Sequence, residues 1–183
     1  MPRIPELSAE QMDPIQKGVY DDIMAGPRSS LRGPFHAWLH SPGLADPAQK
    51  LGAFCRFSSS LPKRLSELAI IMIARFWCAQ FEWYAHAPMA MEAGVSSTAV
   101  ETIRLKQKPP LSREDEILIY EFVSELLDHR TVSQVTYDRA QTMLGDRGVV
   151  DLVGIVGYYC LVSVTLNVFD MPLPDGEENP LSP

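Results

Sequence analysis

Apolar residues recur at helical spacing along most of the chain. Met12, Ile15, Val19 and Ile23 are separated by three or four positions, and the same spacing returns between residues 117 and 127. This period is typical of amphipathic helices that bury one face against a core. No stretch shows the strict alternation of a half-buried strand. The pattern therefore predicts an all-α fold.

Capping and breaking residues divide this pattern into helices. Seven longer segments are predicted, over residues 8–26, 44–58, 63–77, 79–93, 112–129, 133–145 and 148–170. Two shorter helices begin at Pro34 and Ser97, and the predicted N-caps of the longer ones include Ser8, Ser112 and Ser133. Gly94 is expected to end its helix in the left-handed conformation. We expect a single-domain bundle of about seven helices over residues 11–172, with an N-terminal arm (1–10) and a flexible tail (173–183) rich in proline and acid.

The last helix raises the question of a membrane. Residues 152–166 carry no charge, but this run is short of the roughly 20 residues that cross a bilayer. We interpret it as a central buried helix.

Composition narrows the class of partner. The chain has 183 residues, of which 46% are hydrophobic and 21% charged, as in an ordinary globular domain. The net charge of −7 argues against nucleic acid or an anionic membrane as the main partner. The three cysteines form no CxxC, and the first residues carry no apolar leader. We expect free thiols and a cytoplasmic location.

Candidate chemistry is concentrated in residues 67–86, ELAIIMIARFWCAQFEWYAH. Glu82 and His86 are four residues apart, so they share one face of a helix. Their neighbours are mostly apolar, and burying such a pair is costly without a functional reason. A carboxylate orients an imidazole and favours its charged form, which makes a proton donor or acceptor. The alternative is an ordinary surface pair.

Pro88 and a break near Cys78 favour two helices in this segment rather than one.

Two further residues of this segment allow more than one interpretation. Glu67 could belong to the same site, or it could face solvent and pair with Arg64 three residues earlier. Cys78 could be a nucleophile if a helix start stabilised its thiolate, although packing is the commoner role of a free cysteine.

Other polar residues are weaker candidates. His36 and His40 could form a metal site with His86, but pocket lining or helix capping is the commoner role for such histidines. Arg75 could bind a substrate carboxylate, or it could bond helix-terminal carbonyls or a neighbouring subunit. Tyr158 and Tyr159 need hydrogen-bond partners when buried, and one of them could line a pocket. The chain contains no GxxxxGK, GxGxxG, GxSxG or HExxH motif.

The spacing between Glu67 and His86 resembles that of the Glu and His in the motif of the carboxymuconolactone decarboxylase family. This family includes the alkylhydroperoxidase D-like proteins. In that alignment the family's two cysteine positions are Ala79 and Glu82, and Cys78 lies one residue off the motif. The stretches GPFHAWLHSPGLA, EAGVS and GYYCLVSVTLNVFDMPLP are similar to the decarboxylase-like branch. The resemblance covers about residues 10–175.

This resemblance implies an alkylhydroperoxidase D-like helical subunit that forms homotrimers or homohexamers. Without CxxC, the family's thiol-dependent peroxide cycle cannot run. The implied activity is that of a cofactor-independent carbon–carbon lyase in aromatic degradation, acting on a small carboxylated lactone or a related enolisable compound. We expect His86 to act as acid and base, oriented by either Glu82 or Glu67, with the other glutamate completing the proton relay. Substrate contacts are expected from Trp83, His36, His40 and Arg75, with no metal or cofactor. A hydroperoxide reductase using Cys78, and a non-catalytic ligand-binding oligomer, are the alternatives.

Overall fold

The chain folds into eight helices, and no strand is found in residues 2–182, which the computed structural model describes. Met1 and Pro183, the outer ends of the predicted arm and tail, lie outside the described residues. The prediction of an all-α fold is confirmed, with eight helices instead of about seven. The helices are α1 (Pro14–Ala25), α2 (Phe35–Trp38), α3 (Pro42–Phe57), α4 (Lys63–Phe76), α5 (Gln80–Glu92), α6 (Ser97–Arg104), α7 (Glu114–His129) and α8 (Gln134–Val168).

The first helix begins later than the sequence pattern predicts. Asp13, not Ser8, is its N-cap, because the Asp13 carboxylate accepts hydrogen bonds from the backbone N–H groups of Ile15 and Gln16, both at 2.8 Å. Ser8 and Gln11 do bond to each other, but they form only an isolated turn. Pro14 explains the difference, since its ring is tolerated at the first helical position and would clash inside a helix that started at Ser8.

Three other predicted N-caps have mixed outcomes. Ser133 caps α8, and its hydroxyl accepts from the backbone N–H of Thr136. The cap of α6 is Ser96 rather than Ser97. Helix α7 starts after Arg113 and not at Ser112. These shifts of one residue reflect several adjacent polar residues that suit the same position.

The predicted break near Cys78 is confirmed. Cys78 has a φ of +50°, in the left-handed region, and it lies between the end of α4 and the start of α5. The turn folds α5 back against α4. Gly94 ends α5 with a φ of +102°, as predicted. Pro88 lies within α5, beyond its first turn.

Helix α4 forms the centre of the core. Every residue from Leu65 to Arg75 is buried, and three of them, Ser66, Glu67 and Arg75, are polar or charged. It packs against α5, α7 and α8. Helix α8 is broken at Gly145, whose φ is +69°.

Helix α8 is also long and apolar enough to cross a bilayer, judged by length and composition alone. In the structure, 61% of that apolar stretch is buried. The core helix of a globular domain meets the same criterion, so this is weak evidence for a membrane.

Both ends of the described chain contact the helical body. In the arm, the backbone N–H of Arg3 donates to the carbonyl of Phe169 at 2.8 Å. In the tail, predicted to be flexible from its composition, Leu181 is buried. The Gln80 side chain both donates to the Leu181 carbonyl and accepts from its N–H, each at 2.9 Å. The tail therefore makes specific contacts with the start of α5.

Candidate active site

Glu67, Glu82 and His86 meet at the contact between α4 and α5. Nδ1 of His86 lies 2.7 Å from Oε2 of Glu67, and Nε2 lies 3.0 Å from Oε1 of Glu82. All three residues are at most 4% exposed. The interpretation of Glu82 and His86 as a surface pair is therefore wrong, and the imidazole bridges two buried carboxyl groups.

The competing interpretation of Glu67 is also wrong. Arg64 does not pair with Glu67 but with two acids at the start of α7, Asp115 and Glu116. Its Nη2 lies 2.6 Å from Oδ2 of Asp115. Glu67 points into the core and has His86 as its partner.

The pKa of His86 is raised to about 9 from an ordinary value of 6.5. Burial acts in the opposite direction, because it disfavours the charged ring. The charge of Glu82 and the hydrogen bonds to Glu67 and Glu82 outweigh that effect. At neutral pH the ring is an imidazolium, so both of its nitrogens donate.

This trio borders a cavity of about 520 Å³. Glu82 and His86 line it, whereas Glu67 lies behind His86 and does not. The cavity lies between α5, α8, the end of α3 and the loop that precedes α2. Its aromatic wall consists of Phe35, Phe81, Tyr84, Tyr158 and Tyr159.

Three arginines line the same cavity: Arg28, Arg32 and Arg56. Among the described residues, none of them forms an ion pair with a carboxylate. The Arg28 guanidinium lies 4.9 Å from the centre of the Phe35 ring, and its buried Nε has no hydrogen-bond partner in this part of the chain. Arg56 contacts the Met89 sulfur at 3.4 Å. We call the three arginines together the arginine wall, and three unpaired cations lining one cavity suit an anionic ligand.

A glycine makes room for this wall. A Cβ atom on Gly52 of α3 would lie 2.0 Å from the Tyr158 hydroxyl oxygen and 2.5 Å from Nη2 of Arg28. Only a residue without a side chain leaves both groups where they are.

The two adjacent tyrosines stay protonated. Burial raises the pKa of Tyr158 to about 12, and burial with the nearby charges of Glu82 and Glu67 raises the pKa of Tyr159 well above its ordinary value. The Tyr159 ring packs edge-on against the His86 ring, with centres 5.2 Å apart. Both tyrosines therefore line the cavity as neutral side chains.

The four residues expected to bind substrate do not line this cavity. Trp83 is buried in the core. His40 is 2.8 Å from the carbonyl oxygen of Pro5, and Nδ1 of His36 is 3.2 Å from Oε1 of Glu6 in the arm. Arg75 borders a separate cavity of about 160 Å³ and donates to the carbonyl of Ser182 at 2.9 Å.

The structure also shows where the cysteines lie and whether the three histidines meet. All three cysteines are free, and the Sγ atom of Cys78 lies 3.6 Å from the Ser182 carbonyl oxygen rather than in the cavity. In residues 2–182, no group of three or more His, Cys, Asp or Glu side chains is arranged to hold a metal ion. The three-histidine arrangement is therefore not formed there.

Sequence reasoning missed the three arginines. They lie in PRSSLRG and in FCRF, two segments outside the Glu–His motif. The sequence does place arginines near aromatic residues in an otherwise acidic chain. That pattern does not indicate which arginines come together in the fold. No protein-family model matches the chain, and no curated protein matches it either.

Proposed function

We propose that the chain is a cofactor-independent carbon–carbon lyase that decarboxylates a small carboxylated lactone or a related enolisable compound. The observation that carries this proposal is the buried Glu67–His86–Glu82 trio beside a cavity with three unpaired arginines. Such a reaction needs a group that holds a carboxylate, an apolar site and a proton donor. This cavity offers all three, and the resemblance to the carboxymuconolactone decarboxylase family favours the same reaction class.

The reaction is a redox-neutral exchange of carbon dioxide for a proton. The bond between the ring carbon and the carboxylate breaks, and its electron pair moves through the conjugated carbonyl to form a dienolate. Carbon dioxide leaves, and a proton then adds to carbon to regenerate the carbonyl. No oxidant or reductant is consumed.

The geometry suggests how the proton is delivered. Both ring nitrogens of His86 are engaged by carboxyl groups, and Glu82 lies on the cavity side. We therefore assign Glu82 as the group that passes the proton to substrate, with His86 resupplying it through Nε2. Glu67 is a positioning residue, because it fixes the ring through Nδ1 and does not reach the cavity.

The arginine wall takes the role first expected of Arg75. Arg28 and Arg56 would hold an anionic group of the substrate, and the aromatic wall would pack against its ring. The hydroxyl group of Tyr158, 3.5 Å from Nη2 of Arg28, would help to position that guanidinium.

The proposal also covers the oligomeric state, the location and the partners of the enzyme. We expect a homotrimer or homohexamer in the cytoplasm that uses a small-molecule substrate and needs no metal, nucleic acid or membrane. The free state of all three cysteines agrees with a reducing compartment.

The test compares Glu82→Gln with Glu92→Gln, an exposed position on the same helix. The amide at position 82 can still accept from Nε2 of His86, but it cannot deliver a proton. Carbon dioxide release should be measured on a panel of carboxylated unsaturated lactones. We expect a loss of about 10²–10⁴-fold in kcat for Glu82→Gln and no change for Glu92→Gln.

The same panel separates the alternatives. Incorporation of deuterium from heavy water at the α or γ carbon of the dienolate should accompany turnover. Tight binding without turnover or exchange would instead indicate a non-catalytic ligand-binding protein. Peroxide consumption that disappears in Cys78→Ser would indicate the thiol-dependent reductase.

A further inference from the structure

The segment that follows α8 stays on the body of the protein. It runs from Pro172 to Ser182, and we call it the strap. Its sequence, PLPDGEENPLS, contains three prolines and three acids and no basic residue. A segment of this composition is mobile unless specific contacts hold it. In the structure, contacts at two separate points hold the strap against the helices.

One side chain holds the far end of the strap through the backbone. Gln80, the first residue of α5, donates to the carbonyl of Leu181 and accepts from its N–H, each at 2.9 Å. The Leu181 side chain is 3% exposed and packs in the hydrophobic core. The Gln80 amide therefore satisfies both backbone groups of a buried residue.

Two arginines from other helices hold the carbonyls on either side. Nη2 of Arg75 in α4 donates to the Ser182 carbonyl at 2.9 Å. Nη1 of Arg104 in α6 donates to the Pro180 carbonyl at 3.1 Å. Three consecutive carbonyls are thus bonded to side chains from three helices, two of them by charged donors, which form the stronger hydrogen bonds. We call Arg75, Gln80 and Arg104 the clamp.

Between α8 and the clamp, the strap reaches the large cavity. Pro174 lines that cavity and begins a turn, in which the N–H of Glu177 donates to the Pro174 carbonyl at 3.1 Å. The third residue of the turn is Gly176, with a φ of +88°, a conformation that suits glycine. Tyr84, which also lines the cavity, donates from its hydroxyl group to Oε1 of Glu177 at 3.2 Å. The turn therefore lies at the edge of the cavity.

The turn is acidic, whereas the cavity is cationic. Asp175, Glu177 and Glu178 lie in or next to the turn. The arginine wall has no carboxylate partner among the described residues. The charge of Arg32 reaches the Tyr84 hydroxyl, because it opposes the rise in the Tyr84 pKa that burial and Glu177 cause. Opposite charges on the strap and the wall favour the observed position, and an anionic ligand would compete for the same cations.

We propose that the strap is a lid over the large cavity and that it opens by release of the clamp. Opening breaks the four hydrogen bonds of the clamp and exposes one leucine, while the helices keep their packing. Segments held by so few contacts open locally without global unfolding. Such a lid sets the rates at which a ligand enters and leaves. The inference concerns access to the cavity, so it does not depend on the proposed decarboxylation.

The test measures access to two arginines of the cavity with phenylglyoxal, a small reagent that modifies guanidinium groups. Labelling is stopped at low conversion and quantified for each residue by peptide mass spectrometry. Arg139, an exposed residue of α8 outside the cavity, is the internal reference. In the wild type, Arg28 and Arg56 should react more slowly than this reference.

The variant that opens the strap is Gln80→Ala, which removes two of the four clamp bonds at a position outside the cavity lining. Gln134→Ala is the matched control, because Gln134 is also the first residue of its helix and bonds only locally, to Asp138 at 2.7 Å. We expect labelling of Arg28 and Arg56 to be at least about 5-fold faster in Gln80→Ala, since two hydrogen bonds are lost. The control and the reference arginine should not change.

Hydrogen exchange in the same proteins shows whether the strap has moved. The amides of Glu177 and Leu181 are both hydrogen-bonded in the closed strap, and both should exchange at least about 5-fold faster in Gln80→Ala. Faster exchange with unchanged labelling of Arg28 and Arg56 would show that the strap does not cover the cavity, which overturns the proposal. Unchanged exchange would show that the clamp does not hold the strap, which overturns it as well.

Discussion

His86 donates from Nδ1 to Oε2 of Glu67 over 2.7 Å, although the two residues belong to different helices. This bond ties the imidazole to the core side of the site. The second nitrogen is engaged by Glu82, which lines the cavity together with His86. The Glu67 end of the trio is therefore fixed in the core.

Replacing Glu67 by Gln should weaken that fixed end. The neutral amide keeps a hydrogen bond to Nδ1 but no longer supports the imidazolium charge, so the pKa of His86 should fall from about 9. NMR titration of the ring protons measures this directly. We also expect kcat to drop about 10-fold or more, with the alkaline limb of its pH profile moved to lower pH. Glu121→Gln, at a partly exposed position of α7 away from the trio, should change neither. An unshifted His86 titration in Glu67→Gln would contradict the role of positioning residue.

Stability should depend on pH through His86. Its pKa is about 9 in the folded chain and about 6.5 when unfolded, so the folded state binds the proton more tightly. This contribution is fully present below pH 6.5 and is lost as pH rises to 9. Each pKa unit corresponds to about 1.4 kcal/mol, so the loss is on the order of 3 kcal/mol.

Urea denaturation at pH 6, 7.5 and 9 measures that loss. His86→Gln should be less stable at pH 6, because two buried carboxyl groups lose their cation, and it should lack the slope between pH 6.5 and 9. A full alanine truncation is a poor probe of catalysis, since it leaves those carboxyl groups without a partner. The same slope in His86→Gln and in wild type would show that another group titrates.

Gly52 should be needed for the shape of the cavity. In Gly52→Ala, the new methyl group would overlap the Tyr158 hydroxyl and crowd Arg28, so both must move. We expect a loss of about 1–3 kcal/mol in unfolding free energy and weaker binding of anionic ligands. Gly43→Ala is the matched control on the same helix, because its Cβ would meet nothing within 4 Å. If both variants bind a carboxylate probe equally well, the arginine wall does not depend on this gap.

The all-α class and the contact between Glu67, Glu82 and His86 were largely predictable from the sequence. Helical spacing determined the class, and capping residues placed most helix ends to within a few positions. Glu82 and His86 were found because their contact is local, one helical turn apart. Glu67 was ambiguous until the structure showed that Arg64 bonds to α7 instead.

The arginine lining of the cavity was not predictable, because it is assembled by tertiary contacts. Arg28 comes from a loop and Arg56 from the end of α3, and neither lies near the trio in sequence. Arg75 was a candidate because its guanidinium suits a carboxylate, yet α4 carries it to a different cavity. The contacts of Leu181 were missed because composition alone describes the tail as mobile.

Arg56 should select for a negative charge on the ligand. Its guanidinium lines the cavity, has no carboxylate partner among the described residues, and contacts the Met89 sulfur and the Phe57 ring. In Arg56→Gln we expect binding of a lactone carboxylate to weaken about 10–100-fold, since a hydrogen bond to a charged group contributes about 1.5–3 kcal/mol. The methyl ester of the same lactone should bind wild type and variant alike. Arg139→Gln, which removes an exposed ion pair with Glu121, controls for loss of one positive charge. Calorimetric titration of both ligands into the three proteins measures these affinities. Equal weakening for acid and ester in Arg56→Gln would mean that Arg56 shapes the cavity and does not recognise charge.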